Sequence, residues 1–283
     1  MCLFRNVLFV SLMLITNLGA SHSVSAPEQE ITIKSASPFI LPDLLDGLKN
    51  DPPVVIKGKL VLPDNTSLAV DGKFPVMVQS HGSGGLKHET QINKYGKSFL
   101  ENGIGYFYID HFAPRYAVST VGNQAKVTGT SMTADVFKIL ETLSSHPKVD
   151  PKRIGIIGWS KGGGVALYSA MKPYRDGVLG SDMKFALHVA LYPPCIFDWK
   201  MKTTGAPMRM ILAEKENWTG LKGCISTAKR YKGQGLDVEA IILPGAYHGF
   251  DSWGARDAGV RDNKKAWGYG KCDLVGNEDG SIT

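Results

Sequence analysis

Residues 154–164 read Ile-Gly-Ile-Ile-Gly-Trp-Ser-Lys-Gly-Gly-Gly. Ile154 to Ile157 have the apolar run of a short buried strand, and Val165-Ala166-Leu167-Tyr168 suit a helix packed through its apolar side. A strand that turns at once into a helix leaves no room for side chains at the bend. Gly158 and Gly162 therefore flank Ser160 where backbones must approach closely. This Gly-x-Ser-x-Gly arrangement is a nucleophile elbow, which lifts a serine hydroxyl clear of a sheet.

Working outward, Val54 to Leu62 (VVIKGKLVL) alternates like a half-exposed strand, and Phe74 to Gln79 (FPVMVQ) runs into His81-Gly82-Ser83-Gly84-Gly85. Thr90 to Asn102 suits a helix stopped by Asn102-Gly103, Ile104 to Ile109 a buried strand, and Ala134 to Leu143 a helix begun near Thr133. Beyond the elbow come strands at Phe185 to Tyr192, Met208 to Ala213 and Val238 to Leu243, with a helix from about Leu221 to Lys232. Alternating strands and helices predict an α/β fold: a mostly parallel central sheet flanked by helices on both faces, with ligand chemistry at the carboxyl ends of its strands. Ala26 to Pro53 reads as an extended lead-in. With no internal repeat or low-complexity linker, residues 27–283 are expected to form one domain whose last segment, 251–283, is irregular.

The 283 residues, 43% hydrophobic and 20% charged, suit one globular domain with a large core. The net charge of +6 comes from scattered lysines and arginines with no basic run or aromatic-interleaved patch, so a nucleic-acid partner is not expected. Val7 to Ala20 is an apolar stretch after Arg5, too short for a comfortable membrane span. Residues 1–26 thus read as a signal peptide cleaved after Ala20 or Ala26, leaving a secreted or periplasmic chain without stable membrane insertion; an uncleaved anchor is the alternative. Export places Cys195, Cys224 and Cys272 in an oxidising compartment, enough for one bridge and one remainder. No Cys-x-x-Cys pair or Cys/His cluster points to a metal.

A serine hydroxyl needs a base within hydrogen-bond reach and a carboxylate to hold that base. In this topology the partners follow the serine in the order acid, histidine, and the histidines beyond Ser160 are His188 and His248. His188 lies inside the strand FALHVALY and reads as a core residue. His248 lies in Pro244-Gly245-Ala246-Tyr247-His248-Gly249, directly after the last apolar strand, and is the chosen base. The loop after Met208 to Ala213 offers Glu214 and Glu216; Glu216 stands further from the strand and is the chosen acid. Asp198 is the runner-up and Asp251 a more distant one, while each of these carboxylates could equally be an ordinary surface group. Negative charge developing on a carbonyl oxygen requires aimed donors, for which the backbone N–H of Lys161 and a group at Ser83 are candidates. The turn 81–85 lacks the Lys-Ser/Thr ending of a phosphate-binding loop.

The stretches HGSGG (81–85), DHFAPR (110–115), 134–164, LYPPC (191–195), EKENWT (214–219) and PGAYHGFD (244–251) together resemble the dienelactone hydrolase family within the α/β-hydrolase fold, over roughly residues 54 to 251. The resemblance implies Ser160 as nucleophile, His248 as base, an acid at the Glu216 position and an oxyanion site near Ser83 and Lys161. The chain departs from the family in three ways. Dienelactone hydrolases proper use cysteine as nucleophile; their usual acid is aspartate; and they close with an amphipathic helix, whereas residues 251–283 show no apolar stripe. In such a fold Cys195 and Cys224 fall at the carboxyl edges of neighbouring strands on either side of the Glu216 loop, where a disulfide would hold the acid in place; two unrelated buried thiols are the alternative.

These readings predict a serine hydrolase that cleaves a small-molecule carboxylic ester or lactone through an acyl-enzyme, with no cofactor. A prolyl-oligopeptidase-type peptidase shares the core, but no propeller-sized region precedes residue 54. A catalytically silent scaffold that binds a partner would carry a broken triad, and this triad is complete as written. Trp159, Phe112, Tyr116, Trp218 and Phe250 are expected to ring the site as an apolar pocket. Arg115 is placed either against a substrate carboxylate or in a structural ion pair.

Overall fold

The computed structural model of the chain describes residues 27–195, 197–252 and 274–283. The expected signal peptide, Cys272 and most of the tail beyond Ser252 lie outside the described residues.

The strands in chain order are β1 (Glu28–Ala36), β2 (Pro53–Val61), β3 (Phe74–Ser80), β4 (Gly105–Ile109), β5 (Val149–Trp159), β6 (His188–Leu191), β7 (Phe197–Trp199), β8 (Met208–Ala213), β9 (Val238–Leu243) and β10 (Leu274–Gly276). The helices are α1 (Glu89–Glu101), α2 (Gly129–Ser144), α3 (Lys161–Tyr168), α4 (Lys172–Leu179) and α5 (Leu221–Gly233). Eight strands form one sheet in the order β1-β2-β4-β3-β5-β6-β8-β9, antiparallel at β1, β2 and β4 and parallel from β4 onward. Parallel strands are covered on both faces, which explains why Phe74 to Val78 of β3 and the second half of β5 are apolar runs: Ile154 to Trp159 are all buried.

The direction of the crossovers fixes where the chemistry can sit. The link β3-α1-β4 steps toward the β1 edge, whereas β4-α2-β5, β5-α3-α4-β6 and β8-α5-β9 step toward the β9 edge. Parallel crossovers are right-handed, so opposite steps put α1 on one face and α2, α3 and α5 on the other. The reversal falls between β3 and β5. A crevice opens there at the carboxyl ends of the strands, between the turn after Ser80 and the elbow after Trp159.

Three elements depart from the sequence reading. The lead-in is a full strand: β1 pairs with β2 from Glu28↔Val61 to Ala36↔Pro53, and its alternating Ile31 and Ile33 turn toward the core. Helix α4 starts at a proline turn and ends on left-handed Gly180, a stop that follows the polar stretch KPYRDG too closely for its periodicity to register. Finally, β10 pairs in parallel with β7, and Gly276 lies against the ring of buried Trp199, a close approach its missing side chain permits.

Cys195, after β6, is bonded to Cys224 on α5 across 29 residues, with Cα atoms 5.0 Å apart. The closed loop contains Glu216, and on the loop-entropy view the bridge contributes about 3–4 kcal/mol.

Candidate active site

Ser160 carries φ 52° and ψ −115°, a left-handed backbone that a side chain tolerates only under constraint. The constraint is close packing. A Cβ on Gly158 would stand 2.0 Å from the carbonyl oxygen of Gly162, and one on Gly162 would stand 2.0 Å from that of Ser80. The two glycines flanking the serine therefore let β5, the first turn of α3 and the end of β3 touch.

Two loops meet this elbow. After β8, the Glu216 N–H bonds to Ala213 O, and after β9 the Ala246 N–H bonds to Leu243 O; Lys215 N–H to Ala246 O then ties the loops together. Glu214 completes the tie by accepting from Gly245 N–H at 2.7 Å, so this carboxylate is a loop staple. His248 Nε2 lies 2.9 Å from Ser160 Oγ, and its Nδ1 lies 2.9 Å from Glu216 Oε2. The other carboxylate oxygen of Glu216 accepts from the N–H groups of Trp218 at 2.8 Å and Thr219 at 3.2 Å. Burial pushes the Glu216 carboxyl up, but the bond to His248 and these two N–H groups outweigh it and hold it below 4.5. The Trp218 ring stacks on the imidazole, centroids 4.6 Å apart and 19° from parallel, and Tyr192 meets the ring edgewise at 4.7 Å.

On the other side of Ser160 the turn after β3 comes close through Gly82, whose missing Cβ would lie 3.4 Å from Ser160 Cβ. The Ser83 hydroxyl and carbonyl are turned to the 119–124 segment. The hydroxyl donates to Gln124 Oε1, and the carbonyl accepts from Thr120 N–H and Ser119 Oγ. Lys161 opens α3, and the first N–H of a helix has no acceptor within the helix. Its ammonium is drawn inward to Thr120 Oγ1, Gln124 O and Val127 O, and burial lowers its pKa to about 7.

The sequence profile described as the dienelactone hydrolase family matches residues 72–269. The chain belongs to the dienelactone hydrolase family. Its fold is that of the α/β-hydrolases. A protein assigned as a dienelactone hydrolase from Klebsiella pneumoniae superposes with a TM-score of 0.53 over 79% of this chain and 89% of that one, at 16% identity. Butyrate-bound esterase 2 of Thermogutta terrifontis superposes with a TM-score of 0.57 over 76% of this chain and 86% of that one, at 18% identity. Among curated proteins, one assigned as dipeptidyl-aminopeptidase B from Metarhizium robertsii is 24% identical over 72% of this chain, and the match spans 23% of that longer protein. Family and fold together mark the chain as a hydrolase.

Within this dienelactone hydrolase relative several sequence expectations change. Arg115 is the ion-pair member, not a substrate ligand. Its guanidinium donates to both oxygens of Asp135 and to Ser37 Oγ, Ala36 O and His111 O, so each of its five N–H groups is taken. Trp159 is not a pocket wall either: it is 2% exposed, packs edgewise on Tyr95 and donates to Asp251. Phe112 is likewise buried, edge-on to His81. Tyr116 is fully in solvent, and Phe250 packs against Tyr192. Trp218 alone of the five aromatics lies against the histidine ring and half-open to solvent. Asp198 lies in β7, in register with Val275 of β10. His188 is fully buried, its Nδ1 facing Ala166 O at 2.9 Å, and burial lowers its pKa to about 4. The sequence reading missed Tyr192, whose ring lies edgewise on that of His248; its place just past β6, at the carboxyl edge of the sheet, is the signal that could have found it.

Proposed function

We propose that this dienelactone hydrolase relative is an exported serine esterase that cleaves small carboxylic esters or lactones through an acyl-enzyme. The supporting observation is the 2.9 Å contact between Ser160 Oγ and His248 Nε2, with Glu216 on the far nitrogen. His248 takes the hydroxyl proton as Ser160 Oγ attacks the carbonyl carbon. Glu216 holds the Nδ1 proton and stabilises the imidazolium. The carbonyl oxygen turns anionic between the N–H group of Lys161 and one from the turn after β3, with Ser83 the expected donor there. His248 then gives its proton to the leaving alcohol, or to the ring oxygen of an opened lactone. A water deprotonated by His248 releases the acid and restores Ser160. No cofactor enters these steps.

The half-open Trp218 beside His248 offers an apolar wall for a small acyl or alcohol group. The likeness to an esterase carrying butyrate favours short acyl chains. Export is read from the apolar Val7 to Ala20 stretch, and the Cys195–Cys224 bridge supports that reading, since disulfides persist in oxidising compartments. A second reading, peptide hydrolysis, is favoured by the dipeptidyl-aminopeptidase relative, of which the chain spans under a quarter. Both readings use the same triad and separate by substrate. The purified protein should turn over p-nitrophenyl acetate and butyrate, lose that activity in Ser160→Ala, and leave dipeptide p-nitroanilides intact. Undiminished ester turnover in Ser160→Ala removes the proposal, and faster anilide than ester cleavage replaces it with the peptidase.

A further inference from the structure

His248 sits in a loop with left-handed glycines on both sides, Gly245 at φ 69° and Gly249 at φ 75°, and the ties to the Glu214 loop reach its near side at Gly245 and Ala246. The far side is held three residues further on. Oδ1 of Asp251 accepts from Gln91 Nε2 at 2.9 Å and from the Tyr192 hydroxyl at 2.6 Å. Oδ2 accepts from the Tyr95 hydroxyl and from Trp159 Nε1, both at 2.9 Å. Four donors fill the acceptor sites of one carboxylate, which leaves none for a histidine and removes Asp251 from the candidates for triad acid. Gln91 uses its second N–H on the Tyr192 oxygen at 3.2 Å, closing the network on itself.

The donors come from α1, from the exit of β6, and from the residue immediately before the nucleophile. A carboxylate partly withdrawn from water among neutral donors is costly unless its lone pairs are met, as here, and a network so completed favours one arrangement. The Tyr192 ring, anchored by its hydroxyl, lies edgewise on the imidazole at 4.7 Å and against Phe250 at 5.1 Å. Asp251 thus reaches His248 by two routes: along three residues of chain, and through the ring of Tyr192.

We propose that Asp251 is a positioning residue, a four-donor clamp that fixes the His248 loop to α1 and to Trp159 so that the imidazole stays within reach of Ser160. This rests on the reading of Ser160 and His248 as nucleophile and base. A clamp of this kind acts on the geometry of proton transfer and leaves substrate binding unchanged, so its loss lowers kcat and spares KM.

The experiment measures kcat and KM for p-nitrophenyl butyrate in Asp251→Asn, Tyr95→Phe and Ser160→Ala, with rates of the first two expressed per site titrated to completion by a fluorophosphonate and that of Ser160→Ala per mole of folded protein. Asparagine keeps the shape but offers one acceptor oxygen where two are needed. Asp251→Asn should lower kcat by about 10–100-fold with KM within about twofold, and Tyr95→Phe, which removes one donor without touching His248, by about 2–10-fold. A titratable Asp251→Asn with wild-type kcat, or with altered KM alone, overturns the clamp. If that variant does not fold, Tyr95→Phe decides, and wild-type kcat there overturns it. Ester turnover surviving in Ser160→Ala sinks the nucleophile reading and the clamp with it; a silent Ser160→Ala beside a fully active Asp251→Asn sinks the clamp alone.

Discussion

Among the described residues stand two lines of serine, histidine and carboxylate, alike in kind. In one, Ser160 Oγ, His248 and Glu216 are linked at 2.9 and 2.9 Å; in the other, Ser80 Oγ, His111 and Asp135 are linked at 3.2 and 2.8 Å. The residue types match and the distances nearly so. Their surroundings differ. Ser160 stands on a left-handed turn past the end of β5, whereas Ser80 is the last residue of β3, and Ser80, His111 and Asp135 are all completely buried. Glu216 faces backbone N–H groups, while Asp135 is claimed by both ends of Arg115 and by Ser35. Triad distances therefore do not make a triad. A nucleophile also needs an exposed approach and a carboxylate not already committed to an arginine. The inner line is a structural brace: it joins β1, β3, β4 and α2 directly beneath the turn that carries Gly82.

Substitutions should separate the two lines. The largest effect is on turnover: Ser160→Ala should lower kcat by about 10⁴–10⁶-fold while leaving the thermal midpoint near wild type, and Ser80→Ala should change kcat per folded site by less than threefold. Next comes the acid. Glu216→Gln should cost about 10³–10⁴-fold in kcat, because an amide can present the wrong partner to Nδ1 of His248, and steady-state ester hydrolysis measures it directly. The mirror change in the brace acts on stability. Asp135→Asn strips Arg115 of its buried counter-charge and should lower unfolding free energy by about 3–5 kcal/mol, read from urea midpoints.

A smaller loss is expected for Ser80→Ala, about 1–3 kcal/mol in the same urea assay, since His111 Nε2 is left without its partner. The last contrast is in pH. The Glu216 carboxyl is held below 4.5, so its share of stability is present above that value and is lost as pH falls through the folded pKa. The stability difference between wild type and Glu216→Gln should be widest above the ordinary carboxylate range and close as pH falls below it. A difference that widens on acidification would contradict the ionised assignment.

The sequence made the outer line legible and left the inner one hidden, and particular residues show why. Ser160 announces itself through Gly158 and Gly162, and His248 through the glycines around it after the last strand; both signals are local. His111 and Asp135 carry no such mark, because a histidine after β4 and an aspartate on α2 acquire a relation only when β3, β4 and α2 are stacked. The same blindness left Arg115 open between a substrate carboxylate and an ion pair, and put Trp159 in a pocket. Asp251 was visible only as a spare carboxylate, since its four donors come from sites 59 to 160 residues away.

Taken alone, the sequence determined the strand-turn-helix at residues 154–168, the alternation that yields a parallel sheet, and the order serine, acid, histidine. These are properties of periodicity and of glycine at a bend, which act between near neighbours. Tertiary structure decided which serine faces solvent, which carboxylate meets which histidine, and where each charge finds its counter-charge. Burial and hydrogen-bond partnership are set by the stacking of distant segments, and no short window of sequence contains them.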